Sequence, residues 1–167
     1  MSSLLVTTAP ALMTWLEHRP FAIAIAESTW LFPITETVHV LALTVVIGAV
    51  AMMDLRLLGI GHRDRAVSEV ISSSLPWAWS AFGVAFIAGS LMFTSKAASY
   101  YVNVPFRIKM VCLVLAAINM LFFHFFTARG MAIWDHGRPP LAARLAAGFS
   151  LTLWVVIVAT GRWIGFT

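Results

Sequence analysis

From Pro33 to Gly59 the chain reads PITETVHVLALTVVIGAVAMMDLRLLG, and its middle, Val38 to Met53, is sixteen residues without a charge. A helix needs about 20 predominantly apolar residues to cross a bilayer. Extended to Leu58, this stretch is long enough, and a chain that contains it has few folds open to it. Glu36 and His39 stand one helical turn apart at its entrance, and Asp54 and Arg56 stand at its exit. An ionisable side chain within a membrane helix is costly, so a functional role is the first hypothesis for His39.

The rest of the composition agrees. Hydrophobic residues make up 60% of the 167 residues and charged residues 11%, where a soluble domain carries about 25% charged residues. The mean hydropathy is +0.90. A net charge of +4 would suggest nucleic acid in a soluble protein. Here the cations are spread over the connecting segments and read as topology and lipid-headgroup signals, with no nucleic-acid partner. Cys112 is the only cysteine, which excludes an intrachain disulfide and a thiolate cluster. The first cation is Arg19, so the N-terminus lacks the basic start of a signal peptide, and insertion through the chain's own spans is expected.

The pattern predicts an all-α fold: an integral-membrane antiparallel four-helix bundle with an N-terminal interfacial helix, one domain over residues 1–167. Residues 1–9 are expected to fray. Glu17, His18, Arg19 and Pro20 interrupt the segment 10–28, which suits an interfacial position. Spans are expected at about 30–58, 75–95, 105–127 and 141–164. Pro33 lies in the first turn of the first span or kinks it, and Gly59 and Gly61 end it. The polar stretch 62–74 reads as a separate interfacial helix, with Pro76 opening the second span. Gly83 and Gly89 mark sectors of that span where a partner helix or a flat ligand can come close. Short links make neighbouring spans antiparallel and put both termini on one side. The link side carries six cations (Arg56, Arg63, Arg65, Arg129, Arg138, Arg144) and the terminal side five (Arg19, Lys96, Arg107, Lys109, Arg162). By the positive-inside rule this leans towards termini on the outer face.

His39 and His124 are the two histidines on spans. Measured from the span midpoints, they differ in depth by about 18 Å at 1.5 Å per residue. One iron cannot bind both at that separation; two b-type haems, one per leaflet, fit it, and a single clamped haem needs the spans slid by about three turns. Imidazole is a common haem ligand. Arg107, Lys109 and Arg162 lie on the His39 side as propionate partners, and Phe122, Phe123, Phe125 and Phe126 surround His124. The plainer reading is that both histidines hydrogen-bond between helices. The second and fourth spans contain no histidine, so a second axial ligand must come from elsewhere. His18 is available to His39 and His62 or His136 to His124; Met13, Met131 or an open position are the remaining choices. Glu36-x-x-His39 places a carboxylate and an imidazole on one helix face. That allows a copper or zinc ion at His39 and Glu36, with His124 as a further metal candidate, or a Glu36 that merely fixes the His39 tautomer. A di-iron centre lacks its second copy of the motif. Asp54-x-Arg56 reads as an ion pair closing the span. No catalytic triad, phosphate loop or nucleotide fingerprint is present, so the sequence carries no catalytic signature.

Taken together, PITETVHVLAL at 33–43, DLRLLG at 54–59, PWAW at 76–79, FRIKM at 106–110 and GRWI at 161–164 resemble a family of small bacterial integral-membrane proteins of unknown function. The resemblance runs from about Ala26 to Ile164. It implies a four-span protein of the bacterial inner membrane, with the cation count favouring periplasmic termini. The arrangement is also similar in style to small membrane b-type cytochromes and to the membrane domain of copper-resistance proteins. The expectation is therefore an electron-transferring b-type cytochrome, with copper binding or transport through Glu36 and His39 as the alternative and a cofactor-free structural subunit as the third. The expected partners are membrane lipids, an unidentified redox partner or quinone, and further copies of the chain in a homo-oligomer.

Overall fold

The computed structural model describes residues 10–61 and 64–166; they fold into helices, and no strand occurs among them. The fraying expected of residues 1–9 and the candidate ligand His62 lie outside the described residues. The N-terminal segment forms two short helices, α1 (Ala11–Glu17) and α2 (Pro20–Glu27). They part at Arg19, with φ −75° and ψ 141°, because a residue before proline is driven to extended backbone. Leu12, Trp15 and Phe21 remain exposed along them.

Helix α3 (Leu31–Leu58) follows the long apolar run. At its start the Ser28 hydroxyl oxygen accepts from the N–H groups of Trp30 and Leu31 at 3.3 and 3.1 Å. Pro33 sits in the first turn, where a missing donor leaves no bond broken. At its end Gly59 takes a left-handed φ of 73°. The Gly59 N–H then donates to Arg56 O and the Ile60 N–H to Leu55 O, both at 3.0 Å, which is a Schellman cap.

The second long helix, α4 (Val67–Ser95), differs from expectation. The stretch 67–74 is its first two turns rather than a separate interfacial helix, and Pro76 lies inside it. The reason is a cap that comes from far along the chain. Ala66 has no side-chain acceptor, but Asp135 Oδ1 accepts from Ser68 N–H at 2.7 Å, Oδ2 from Ser68 Oγ–H at 2.6 Å, and Asp135 O from Val67 N–H at 3.0 Å. With its first N–H groups satisfied there, the helix starts two turns before the proline.

After α5 (Ala97–Val102), α6 (Val104–Phe122) begins at Asn103, whose Oδ1 accepts from Phe106 N–H at 2.9 Å. It runs through a π turn at Phe123–Thr127 and a 3-10 turn at Ala128–Gly130 into α7 (Met131–Trp134). Helix α8 (Leu141–Trp163) follows Pro140 and ends in a 3-10 turn, Ile164–Phe166. Four stretches, Leu31–Leu58, Val67–Ser95, Val104–Trp134 and Leu141–Phe166, are long and apolar enough to cross a membrane.

Helix α3 packs along both α4 and α8, and α6 packs along α8. Residue pairings run in opposite directions on neighbours. Leu57 meets Val67 and His39 meets Ala85 across α3 and α4; Cys112 meets Leu153, and Asn119 Nδ2 donates to Ala146 O at 3.0 Å, across α6 and α8. Small buried residues such as Ala42, Ala49, Ala85 and Ala88 let the backbones approach.

The expected Asp54–Arg56 ion pair does not form. Side chains two apart on a helix leave it in different directions. Arg56, 3% exposed, donates from Nε to Arg65 O at 2.8 Å and from Nη2 to Asp135 O at 3.3 Å. Asp54 turns instead to Ser150 on α8. The ion pair found among the described residues is Arg65–Glu69, at 2.6 Å on the surface.

Candidate functional site

The sequence placed its candidates at two depths, and the structure groups only three of them, His39, Glu36 and Lys109, at the terminal end, opposite the α3–α4 link. His39 lies two turns into α3 and is half-buried. Its Nδ1 is 2.7 Å from Ala85 O on α4. A carbonyl oxygen only accepts, so Nδ1 carries the proton and donates. Nε2 of the neutral ring is then left with a free lone pair. Gly89, one turn further along α4, makes room for the ring. A Cβ there would stand 2.9 Å from His39 Cε1 and 3.2 Å from Nδ1. The flat group that Gly89 admits is thus the chain's own imidazole. At Gly83 a Cβ would meet nothing within 4 Å.

Lys109 reaches the same end from α6. Its ammonium rests against Gly161 of α8, 3.4 Å from where a Cβ would be. Lys109 and Glu36 are the two charges that act on the His39 ring. Glu36 itself is exposed. So α3 and α4 supply an imidazole and the carbonyl that orients it, and α6 and α8 supply an ammonium, whose charge acts on the ring, and the glycine it lies on.

Aromatic rings close the neighbouring corner. Phe93 stacks on Phe106 with centroids 5.4 Å apart, and Tyr100 tilts against Phe106 at 5.3 Å. Burial, and then the negative Glu36, push the Tyr100 phenol above its usual range, so it stays protonated. Arg107 is exposed and lines a surface cleft of about 320 Å³ with Phe93, Tyr101 and Phe106. Arg162 is exposed and lies over the Phe166 ring at 5.2 Å.

The other candidates lie apart. His18 is exposed, and its Nδ1 lies 2.6 Å from Thr14 O within its own helical turn. His124 is exposed in the π turn, edge-on to Phe125 at 5.3 Å, on a helix that does not pack along α3. His136 is exposed in the link before α8. Among the described residues no three His, Cys, Asp or Glu side chains gather as a metal site. The sequence reading missed Ala85 and Gly161, which contribute only a carbonyl and a surface without Cβ. It also missed Asp135, for which Asp-His in a loop is no signal.

The site offers a neutral imidazole with Nδ1 anchored and Nε2 unbonded, and a cation whose charge acts on the ring.

Four helices able to cross a membrane, with a polar centre of ionisable groups near one end, point to a multi-pass helical membrane protein. Residues 27–167 match a family of unknown function, DUF6644, and the chain belongs to that family. No curated protein and no solved structure matches the chain.

Proposed function

We propose that the protein inserts as an antiparallel four-span bundle in the bacterial cytoplasmic membrane, termini outside, and works there as a b-type cytochrome with one haem at the terminal end. The observation that carries this reading is the Nδ1–H bond from His39 to Ala85 O, which fixes the tautomer whose Nε2 can bind iron. Bound haem would supply one-electron transfer. The chain's own residues anchor and orient the ligand: Ala85 O holds the ring, Gly89 gives it room, and Lys109, with Arg107 nearer the surface, offers charge to propionates. The exposure of His124 favours a single haem over a pair. Visible spectra of the detergent-purified protein, oxidised and dithionite-reduced, test this. The expected result is a Soret band with sharp reduced α and β bands, lost in His39→Ala and kept in His124→Ala. A colourless protein after expression with ample haem overturns it.

Glu36, on the same face as His39 and acting on its ring, favours a second reading, in which the pair binds copper in transit. That reading expects a colourless protein that takes up one copper ion in calorimetric titration and loses it in both Glu36→Gln and His39→Ala. The positive Lys109 beside the ring opposes a bare cation there and not a haem, whose propionates it complements.

A further inference from the structure

Helix α3 carries a second ionisable residue that the His39 reading leaves unused. Asp54 lies about 22 Å further along the helix at 1.5 Å per residue, close to the link end. It is 6% exposed. Ser150, on α8, is the side chain whose hydroxyl acts on the carboxyl group, and Oδ2 has no partner. Ser150 is buried too, at 8% exposed.

None of the described charges on the elements around it forms an ion pair with it. Arg56, on the same helix, is bonded to Arg65 O and Asp135 O. Glu69, on α4, is paired with Arg65. Asp135, from the link before α8, is bonded to Ser68. Asp64, in the α3–α4 link, is exposed. Among the described residues no ion pair joins Arg144, on α8, to Asp54, and the buried Nε of Arg144 has no partner either. An ionised carboxylate in this place would be a stranded charge, and a buried group in that position neutralises instead. Protonated, it donates O–H to Ser150 Oγ, and the oxygen left over is a neutral carbonyl, far cheaper to leave alone.

We propose that Asp54 is an intramembrane proton-binding site that exchanges its proton with water at the link end. The step is the reversible addition of one proton to a carboxylate oxygen; no other bond changes and no electron moves. It is independent of any cofactor at His39.

Infrared spectroscopy of the full chain in phosphatidylcholine vesicles at neutral pH tests it. The expected result is a carboxylic C=O band that shifts down in D2O, disappears in Asp54→Asn and shifts up in Ser150→Ala, where its hydrogen bond is gone. Asp54→Asn, which copies the shape of the neutral acid, keeps the thermal midpoint of the native chain. A carboxylic region identical in the native chain and Asp54→Asn overturns the proposal. If Asp54→Asn does not fold, Ser150→Ala decides alone: a shifted band supports the site and an unshifted one overturns it. The test does not read haem, so a colourless protein leaves it intact.

Discussion

The two ends of the long helices are built on opposite principles. At the link end, polar groups meet partners across long stretches of sequence. Arg56 holds two backbone carbonyls, one of them on Asp135, and Asp135 in turn holds the first turn of α4. At the terminal end the groups are oriented but left with capacity. His39 has one nitrogen bonded and one lone pair free, and among the described residues neither Glu36 nor Lys109 is in an ion pair. A saturated network rigidifies, whereas an oriented and unsaturated group can take a ligand. The contrast gives the Arg56–Asp135 network a holding role, while His39 at the terminal end, like Asp54 beside that network, keeps an atom without a partner.

The largest effect should come from breaking the link end. Arg56→Ala removes two charge-assisted hydrogen bonds and leaves Arg65 O without this donor, and a loss of about 3 kcal/mol is expected, read as a fall in the thermal unfolding midpoint in detergent. A near-native midpoint would mean that the end is not built for holding. Gly89→Ala is the matching blow to the terminal end. Its Cβ would meet the His39 ring at 2.9 Å, an overpacking worth about 1–3 kcal/mol, and any absorption that depends on His39 should fall with it. Gly83→Ala is the control on the same helix, because nothing stands within 4 Å of its Cβ. It should leave both stability and absorption unchanged or slightly improve stability through helix propensity.

A smaller effect sharpens the comparison through pH. Hydrogen bonds from the Ser68 hydroxyl, then from its N–H, hold the Asp135 carboxyl below the usual carboxylate range. A carboxyl lowered in the folded state stabilises fully above its unfolded value, and that stabilisation disappears as pH falls through the lowered one. Acidification should therefore lower the midpoint of the native chain more than that of Asp135→Asn. Parallel curves for the two proteins would remove Asp135 from the holding network.

What could be read in advance was what the chain signals locally. The end of α3 was legible because Gly59 has no Cβ and takes the left-handed turn itself. The start of α8 was legible because Pro140 precedes it. The start of α4 was not, since its cap is supplied by Asp135 from beyond α6, and the proline at position 76 was the strongest local cue. His39 was legible as a candidate because an imidazole stands out in an apolar run. Its orientation was not, because the partner is a backbone carbonyl, which carries no residue signature. The depth of His124 could be estimated by counting, but the face it takes could not, because its helix is apolar all round and the π turn shifts the register of the side chains that follow.

The cap on α4 also has a consequence for the order of events while the chain is being made. Synthesis proceeds from the N-terminus, and early segments fold as they emerge. When α3 and α4 are complete, Ser68 has no acceptor and Arg56 has one of its two carbonyls, because Asp135 has not yet been added. The first two helices therefore leave the translation machinery as a hairpin with an open end. The link end of this early hairpin gains its Asp135 bonds only when the segment before α8 has been made.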